Sequence, residues 1–185
     1  MGASTYIALT DELFEVSGGS AFSGELDLAE LKAGPDTLRF ADPIPWNVFI
    51  ANTGEGSLLV TGSINAVATT DCARCLEPFE LDLEGEVEGF VFLTDPGDDL
   101  PEGMEEDEFE VVDEHKGVDI RAFLEAALVL DMPLVPLHDE DCLGLCPQCG
   151  KNLNEGPCDC EKEDDSDFEN AKNPFAALKD YKFDN

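Results

Sequence analysis

Five of the seven cysteines of this 185-residue chain fall between Cys142 and Cys160, in the run DCLGLCPQCGKNLNEGPCDC. Cysteines this dense at such short spacings restrict the local fold to one built around a metal ion or a cross-link. Cys146 and Cys149 form C-P-x-C-G, in which two intervening residues let both sulfurs reach one tetrahedral ion at about 2.3 Å. Gly150 permits the left-handed turn that must follow. Cys158 and Cys160 close a set of four thiolates. Zinc held by four thiolates has no open position for water or substrate, so this set predicts a structural brace and not a catalyst.

Cys72, Cys75 and Cys142 remain, one ligand short of a second set. His138 lies four residues before Cys142 in PLHDEDC. A site from Cys72, Cys75, His138 and Cys142 would use every remaining cysteine and one of the two histidines. A single site mixing ligands of both groups is the alternative, as are free thiols at Cys72 and Cys75 with His138 in an exposed turn. An odd cysteine count fits poorly with complete disulfide pairing, and clustered cysteines in a reducing compartment are more often ligands than cross-links.

The chain carries 43 acidic and 10 basic residues, for a net charge of −33. Affinity for nucleic acid rests on lysines and arginines that displace counterions, and few are present. Arg74, Lys151 and the C-terminal Lys172, Lys179 and Lys182 are the candidates for a local RNA footprint. Otherwise the acidity reads as solubility, as adaptation to salt, or as a field that attracts a basic protein. No basic start followed by an apolar run opens the chain and no stretch approaches a membrane span, so a cytoplasmic protein without membrane contact is expected.

Apolar residues alternate at even positions over 58–70 and at odd positions over 79–93, the period of half-buried strands. Their connection, DCARCLEP, is short enough for an antiparallel hairpin with Cys72 and Cys75 at its end. The stretch 37–52 reads as one or two strands that Pro43 and Pro45 confine to an edge or a turn. Residues 95–110 are acidic and rich in turn formers, and read as a loop. Asp119 is placed to cap a helix over 119–130, with Ile120, Phe123, Leu124, Ala127 and Leu128 at helical spacing until Pro133. No internal repeat stands out. Asn173 and Pro174 open a short terminal helix presenting Phe175 and Leu178 to the domain or to a partner groove.

The expected architecture is α+β: an antiparallel sheet, with barrel-like closure as an option, one covering helix, and a small zinc-knuckle module. It divides into a core at 1–136 carrying the acidic loop at 95–110, a cysteine-rich module at 137–160, and an acidic linker with a short helix at 161–185.

Enzymatic readings find little. No HExxH or Ser/His/Asp pattern is present, no glycine-rich loop opens a helix with a lysine, and His115 stands alone in an acidic turn. With 43 carboxylates, no pair is diagnostic. A thiol oxidoreductase centred on Cys72 is opposed by its place after a strand, away from a helix N-terminus, and by Asp71 and Glu77 beside it.

CARCLEPF at 72–79, DMPLVPLHDEDC after the helix, GLCPQCGKNLN and the terminal NPFAALK together resemble the YceD family of large ribosomal RNA subunit accumulation proteins, over residues 20–182. The resemblance implies a non-enzymatic, cytoplasmic bacterial factor that supports 23S rRNA accumulation and large-subunit assembly. Its partner would be 23S rRNA, an assembly intermediate, or a basic ribosomal protein that it escorts, with no small-molecule substrate. Arg74, Lys151, Asn152, Asn154, Phe175 and Leu178 are the expected partner contacts, and zinc the cofactor.

Overall fold

The computed structural model describes residues 5–97 and 109–160. The chain forms two compact units, Met1–Cys142 and Leu143–Asn185. The first contains β1 (Tyr6–Ala8), β2 (Gly19–Leu26), β3 (Glu30–Ala33), β4 (Asp36–Arg39), β5 (Ile44–Gly54), β6 (Ser57–Asp71), β7 (Pro78–Phe92), β8 (Phe109–Val111), β9 (Gly117–Asp119) and the helix α1 (Arg121–Asp131).

The β6–β7 hairpin organises this unit. The two strands pair without a register shift from Ser57 opposite Phe92 to Asp71 opposite Pro78. One face of the hairpin is apolar because the period of two puts Leu58, Val60, Ile64 and Ala68 beside Leu83, Val87 and Val91, all buried. On the other edge of β6, β5 pairs with its first half and β4 meets it at Thr69. The opposite face of β7 projects Glu80, Asp82, Glu84, Glu86 and Glu88, all exposed.

Seven strands make one mostly antiparallel sheet and β1 pairs with β9 in a separate ribbon. The sheet does not close into a barrel. Among the described residues its paths end at β2, β3 and β8, and β8 offers only a three-residue parallel pairing to β7. Nor does β5 lie at an edge, as its prolines suggested. Pro45 faces Glu25 of β2, and the β6 ladder begins one residue later at Trp46, so the missing N–H falls outside the doubly paired segment.

The acidic loop expected at 95–110 is shorter at its far end, because Phe109 and Glu110 belong to β8. Phe109 meets Phe92 edge to face with ring centroids 5.2 Å apart. The rest of that expectation, 98–108, lies outside the described residues.

Helix α1 lies on β7, and glycine decides where. Along the apolar face of β7 the alternation is interrupted at Gly85 and Gly89. A Cβ at Gly85 would stand 2.8 Å from the carbonyl oxygen of Ala127, and one at Gly89 would stand 2.8 Å from the ring of Phe123. The helix buries Phe123, Leu124, Ala127 and Leu128 there. Complete burial of leucines such as Leu124 and Leu128 contributes about 1.5–3 kcal/mol each. Asp119, expected as the cap, is instead the last residue of β9, and Ile120 holds the cap position. The Asp119 carboxylate still accepts the Arg121 N–H at 3.1 Å. At the far end, Asp131 accepts the Glu84 N–H of β7 at 2.7 Å and pins the helix to that strand. No helix among the described residues is long and apolar enough to cross a membrane.

Candidate metal centres

Each C-x-x-C segment folds into the same backbone turn. In the first unit, Cys72 donates its N–H to the carbonyl of Glu77 at 2.9 Å, and Leu76 donates to that of Cys72 at 2.9 Å. In the second, Cys146 donates to Lys151 at 2.8 Å and Gly150 to Cys146 at 2.8 Å. The fifth residue of each turn is left-handed: φ is +61° at Leu76 and +73° at Gly150. The chain therefore contains a local structural repeat that the sequence hides. CARCLE and CPQCGK align only through their cysteines, and the glycine that marks the turn in one is a leucine in the other.

The turn aims amide hydrogens at its first sulfur. Cys72 is buried, which opposes ionisation, but the N–H groups of Cys75, His138 and Arg74 and the His138 side chain bring its thiol down to about 5. The N–H groups of Cys149 and Gln148, with the Cys158 side chain, bring Cys146 down to about 6 against burial. Their partners move the opposite way. Cys75 receives the Glu77 N–H, yet burial and the sulfurs of Cys72 and Cys142 push it up to about 11. Cys160 is pushed up to about 12 by Cys149 first, then by burial and the sulfurs of Cys146 and Cys158. In each set the first cysteine of the turn is thus the sulfur held down, and cysteine binds a metal as the thiolate.

Four donors converge in each unit. The ligand atoms of Cys72, Cys75, His138 and Cys142 all lie within 4.8 Å of one another, and so do those of Cys146, Cys149, Cys158 and Cys160. Bond lengths of about 2.3 Å to sulfur and about 2.0 Å to nitrogen place tetrahedral edges at about 3.8 Å for two sulfurs and about 3.5 Å for sulfur and nitrogen. The Cys72–Cys142 sulfurs are 3.8 Å apart, and Cys75 Sγ is 3.5 Å from His138 Nδ1. The Cys146–Cys158 sulfurs, at 3.4 Å, need to open by a few tenths of an ångström. All seven cysteines are free thiols. Both sets therefore fit a tetrahedral ion, and each takes all its ligands from its own unit.

The remaining expected contacts are placed differently from one another. Arg74 donates from one guanidinium nitrogen to the carbonyls of Glu140, at 3.0 Å, and Cys142, at 2.9 Å. Lys151 Nζ donates to the Pro157 carbonyl at 2.8 Å. The Asn152 side chain caps the short turn Leu153–Glu155 by accepting the Asn154 N–H, and Asn154 accepts the Leu143 N–H at 2.8 Å. These four residues spend polar groups inside the fold. Phe175 and Leu178 lie outside the described residues. Sequence reading places Leu76 at a turn but misses its left-handed backbone, and misses Pro136 as a support, whose carbonyl accepts the Ala73 N–H at 2.8 Å. Superposing the two C-x-x-C runs by position would have exposed Leu76.

A family model described as large ribosomal RNA subunit accumulation protein YceD matches residues 60–182. The chain is 39% identical over 113 residues to an uncharacterized protein of Mycobacterium tuberculosis, covering 58% of this chain and 50% of that one. It is 31% identical over 158 residues to the chloroplastic large ribosomal RNA subunit accumulation protein YCED homolog 1 of Arabidopsis thaliana, covering 72% of this chain and 49% of that one. A third relative, large ribosomal RNA subunit accumulation protein YceD of Haemophilus influenzae, is 34% identical over 85 residues, 45% of this chain and 47% of that one. The chain thus spans about half the length of the curated relatives it matches. No solved structure matches it.

Proposed function

Since the chain belongs to the YceD family, we propose that it supports accumulation of 23S rRNA and assembly of the large ribosomal subunit by binding an assembly intermediate, without catalysing a reaction. The observation that carries the non-catalytic part is the completeness of both ligand sets. Four protein donors saturate a tetrahedral zinc ion, so no position is left to activate water or polarise a substrate. Zinc at the first set would lock the tip of the β6–β7 hairpin to the segment carrying His138 and Cys142. At the second set it would hold a small module closed on itself. The test is depletion in the cell that encodes the protein. The ratio of large- to small-subunit rRNA should fall, and in-cell crosslinking should recover large-subunit RNA or proteins. An unchanged ratio refutes the proposal.

Escort of a basic ribosomal protein is a second reading, favoured by the exposed row Glu80, Asp82, Glu84, Glu86 and Glu88. Carboxylates recur there about every 6.8 Å. They face only neutral residues of β6: Thr69, Val67, Asn65, Ser63 and Thr61. Neutralising all five to Gln or Asn should abolish salt-sensitive capture of such a partner while metal content stays unchanged. Capture that persists would exclude this row as the contact.

A further inference from the structure

The ten basic residues of a chain with net charge −33 are scarce enough that the position of each carries information. Two of them sit in the metal-knuckle segments. Arg74 lies between the cysteines of the first turn and Lys151 is the sixth residue of the second. Among the described residues neither forms an ion pair; the ion pairs there belong to Arg39, His115, Lys116 and Arg121. Both instead donate to backbone carbonyls, and to a particular kind of carbonyl.

In each case the acceptors belong to the limb that delivers the other two ligands. Arg74 holds the carbonyls of Glu140 and Cys142, the stretch that runs from ligand His138 to ligand Cys142. Lys151 holds the carbonyl of Pro157, the residue before ligand Cys158. The two limbs otherwise differ: one is H-x-x-x-C, the other C-x-C. The two cations also occupy different places in the turn, so this is one arrangement reached from two sequences. Backbone bonds fix each turn internally. Ala73 N–H to Pro136 ties the first turn to the chain leading into its limb, whereas the Leu145–Asn152 bridge and the Leu153 N–H to Gly144 close the base of the second turn and do not reach Cys158 or Cys160.

We propose that Arg74 and Lys151 are positioning residues for the two metal centres. Each uses its side-chain cation to hold the second pair of ligands against the first before an ion enters, and each then offsets the negative charge of the filled site. That site carries one net negative charge with three thiolates and an imidazole, and two with four thiolates. The proposal rests on the metal reading of both ligand sets and assigns the two cations to ligand assembly, not to RNA contact. Outer groups that orient metal ligands typically contribute 10–100-fold in affinity.

The test uses the full-length zinc-loaded protein, with zinc release to a chromogenic chelator followed in time. Two backgrounds separate the centres: Cys158→Ser with Cys160→Ser leaves the first alone, and Cys72→Ser with Cys75→Ser leaves the second. Arg74→Ala should speed release from the first centre about tenfold or more and leave the second unchanged. Lys151→Ala should do the reverse. Arg74→Lys keeps the charge and should recover part of the loss. Cobalt-loaded samples add a readout that a general loss of stability does not produce, since loosened ligands weaken and shift the tetrahedral absorption bands at equal cobalt content. Wild-type release rates and unaltered cobalt spectra in both alanine variants would overturn the proposal. Wild-type protein that takes up no zinc at all would overturn the metal reading instead, and the two failures are distinct.

Discussion

Leu76 should behave as a residue in the wrong place for its own chemistry. Its φ of +61° is one that a side chain with a Cβ adopts at a cost, and Gly150 holds the equivalent place in the other turn. The penalty for an L-residue in that region is about 1–2 kcal/mol. Leu76 is 64% exposed, so its truncation removes little burial. The informative comparison is Leu76→Ala against Leu76→Gly, because both remove the isobutyl group and only alanine keeps the Cβ. Glycine adds unfolded-state entropy worth about 0.4–1 kcal/mol, which opposes the relief of strain. The glycine variant should therefore be the more stable by about 0.5–1 kcal/mol, reversing the usual order in which alanine leads by about that amount. Gly150→Ala should cost the second unit a similar amount. The assay is urea unfolding at a fixed excess of zinc, followed by fluorescence of Trp46, the only tryptophan, which is buried in β5 of the same unit. If Leu76→Ala proves at least as stable as Leu76→Gly, the turn is not held left-handed and the equivalence of the two knuckles fails.

Other expectations follow from the same geometry. Elemental analysis should find two zinc ions per chain, one after Cys72→Ser or Cys160→Ser and none after both; undiminished zinc in either single variant would remove that cysteine from its set. Gly85→Ala should destabilise by about 1–3 kcal/mol through overpacking, because the added methyl would stand 2.8 Å from the rigid Ala127 carbonyl; a neutral result in thermal unfolding would mean that α1 does not lie this close. The Asp113 carboxyl is held below its ordinary range by the Gly117 N–H first, with help from the Tyr6 hydroxyl and the His115 N–H. A depressed folded pKa makes its contribution present above the unfolded value, near 3.9, and lost as pH falls through the folded one. Hydrogen exchange at the Gly117 amide should accelerate below pH 4, relative to the intrinsic rate, and in Asp113→Asn this acid dependence should vanish.

The hairpin and the helix were legible because periodicity reports burial directly. The alternation over 58–70 and 79–93 marks one face of two strands, and the spacing of Phe123, Leu124, Ala127 and Leu128 marks the buried stripe of α1. The short strands were not. β1, β3, β8 and β9 have three or four residues each, too few to show a period, and they form only because a neighbouring strand supplies their hydrogen bonds. Pro45 misled for a related reason. A proline is barred from a strand position only where the one neighbour its N–H would face needs that donor, and the start of the β6 ladder at Trp46 is a fact of register, not of composition.

At the candidate metal centres, sequence by itself determined the donors: cysteines three positions apart in C-x-x-C pairs, enough thiols for one full set, and a histidine placed to complete the other. That much follows from bond lengths and chain reach, which are local. The sequence offered this partition beside a single mixed site, and the tertiary structure chose between them, because bringing Cys72 and Cys75 to His138 and Cys142 requires the β6–β7 hairpin, the closure of α1 over β7, and a chain segment returning to the hairpin tip. It also decided that Leu76 must turn left-handed like Gly150, and that Arg74 and Lys151 spend their charge on carbonyls. Those outcomes depend on which backbone groups a fold leaves in need of a partner, and no single stretch of sequence contains both sides of that balance.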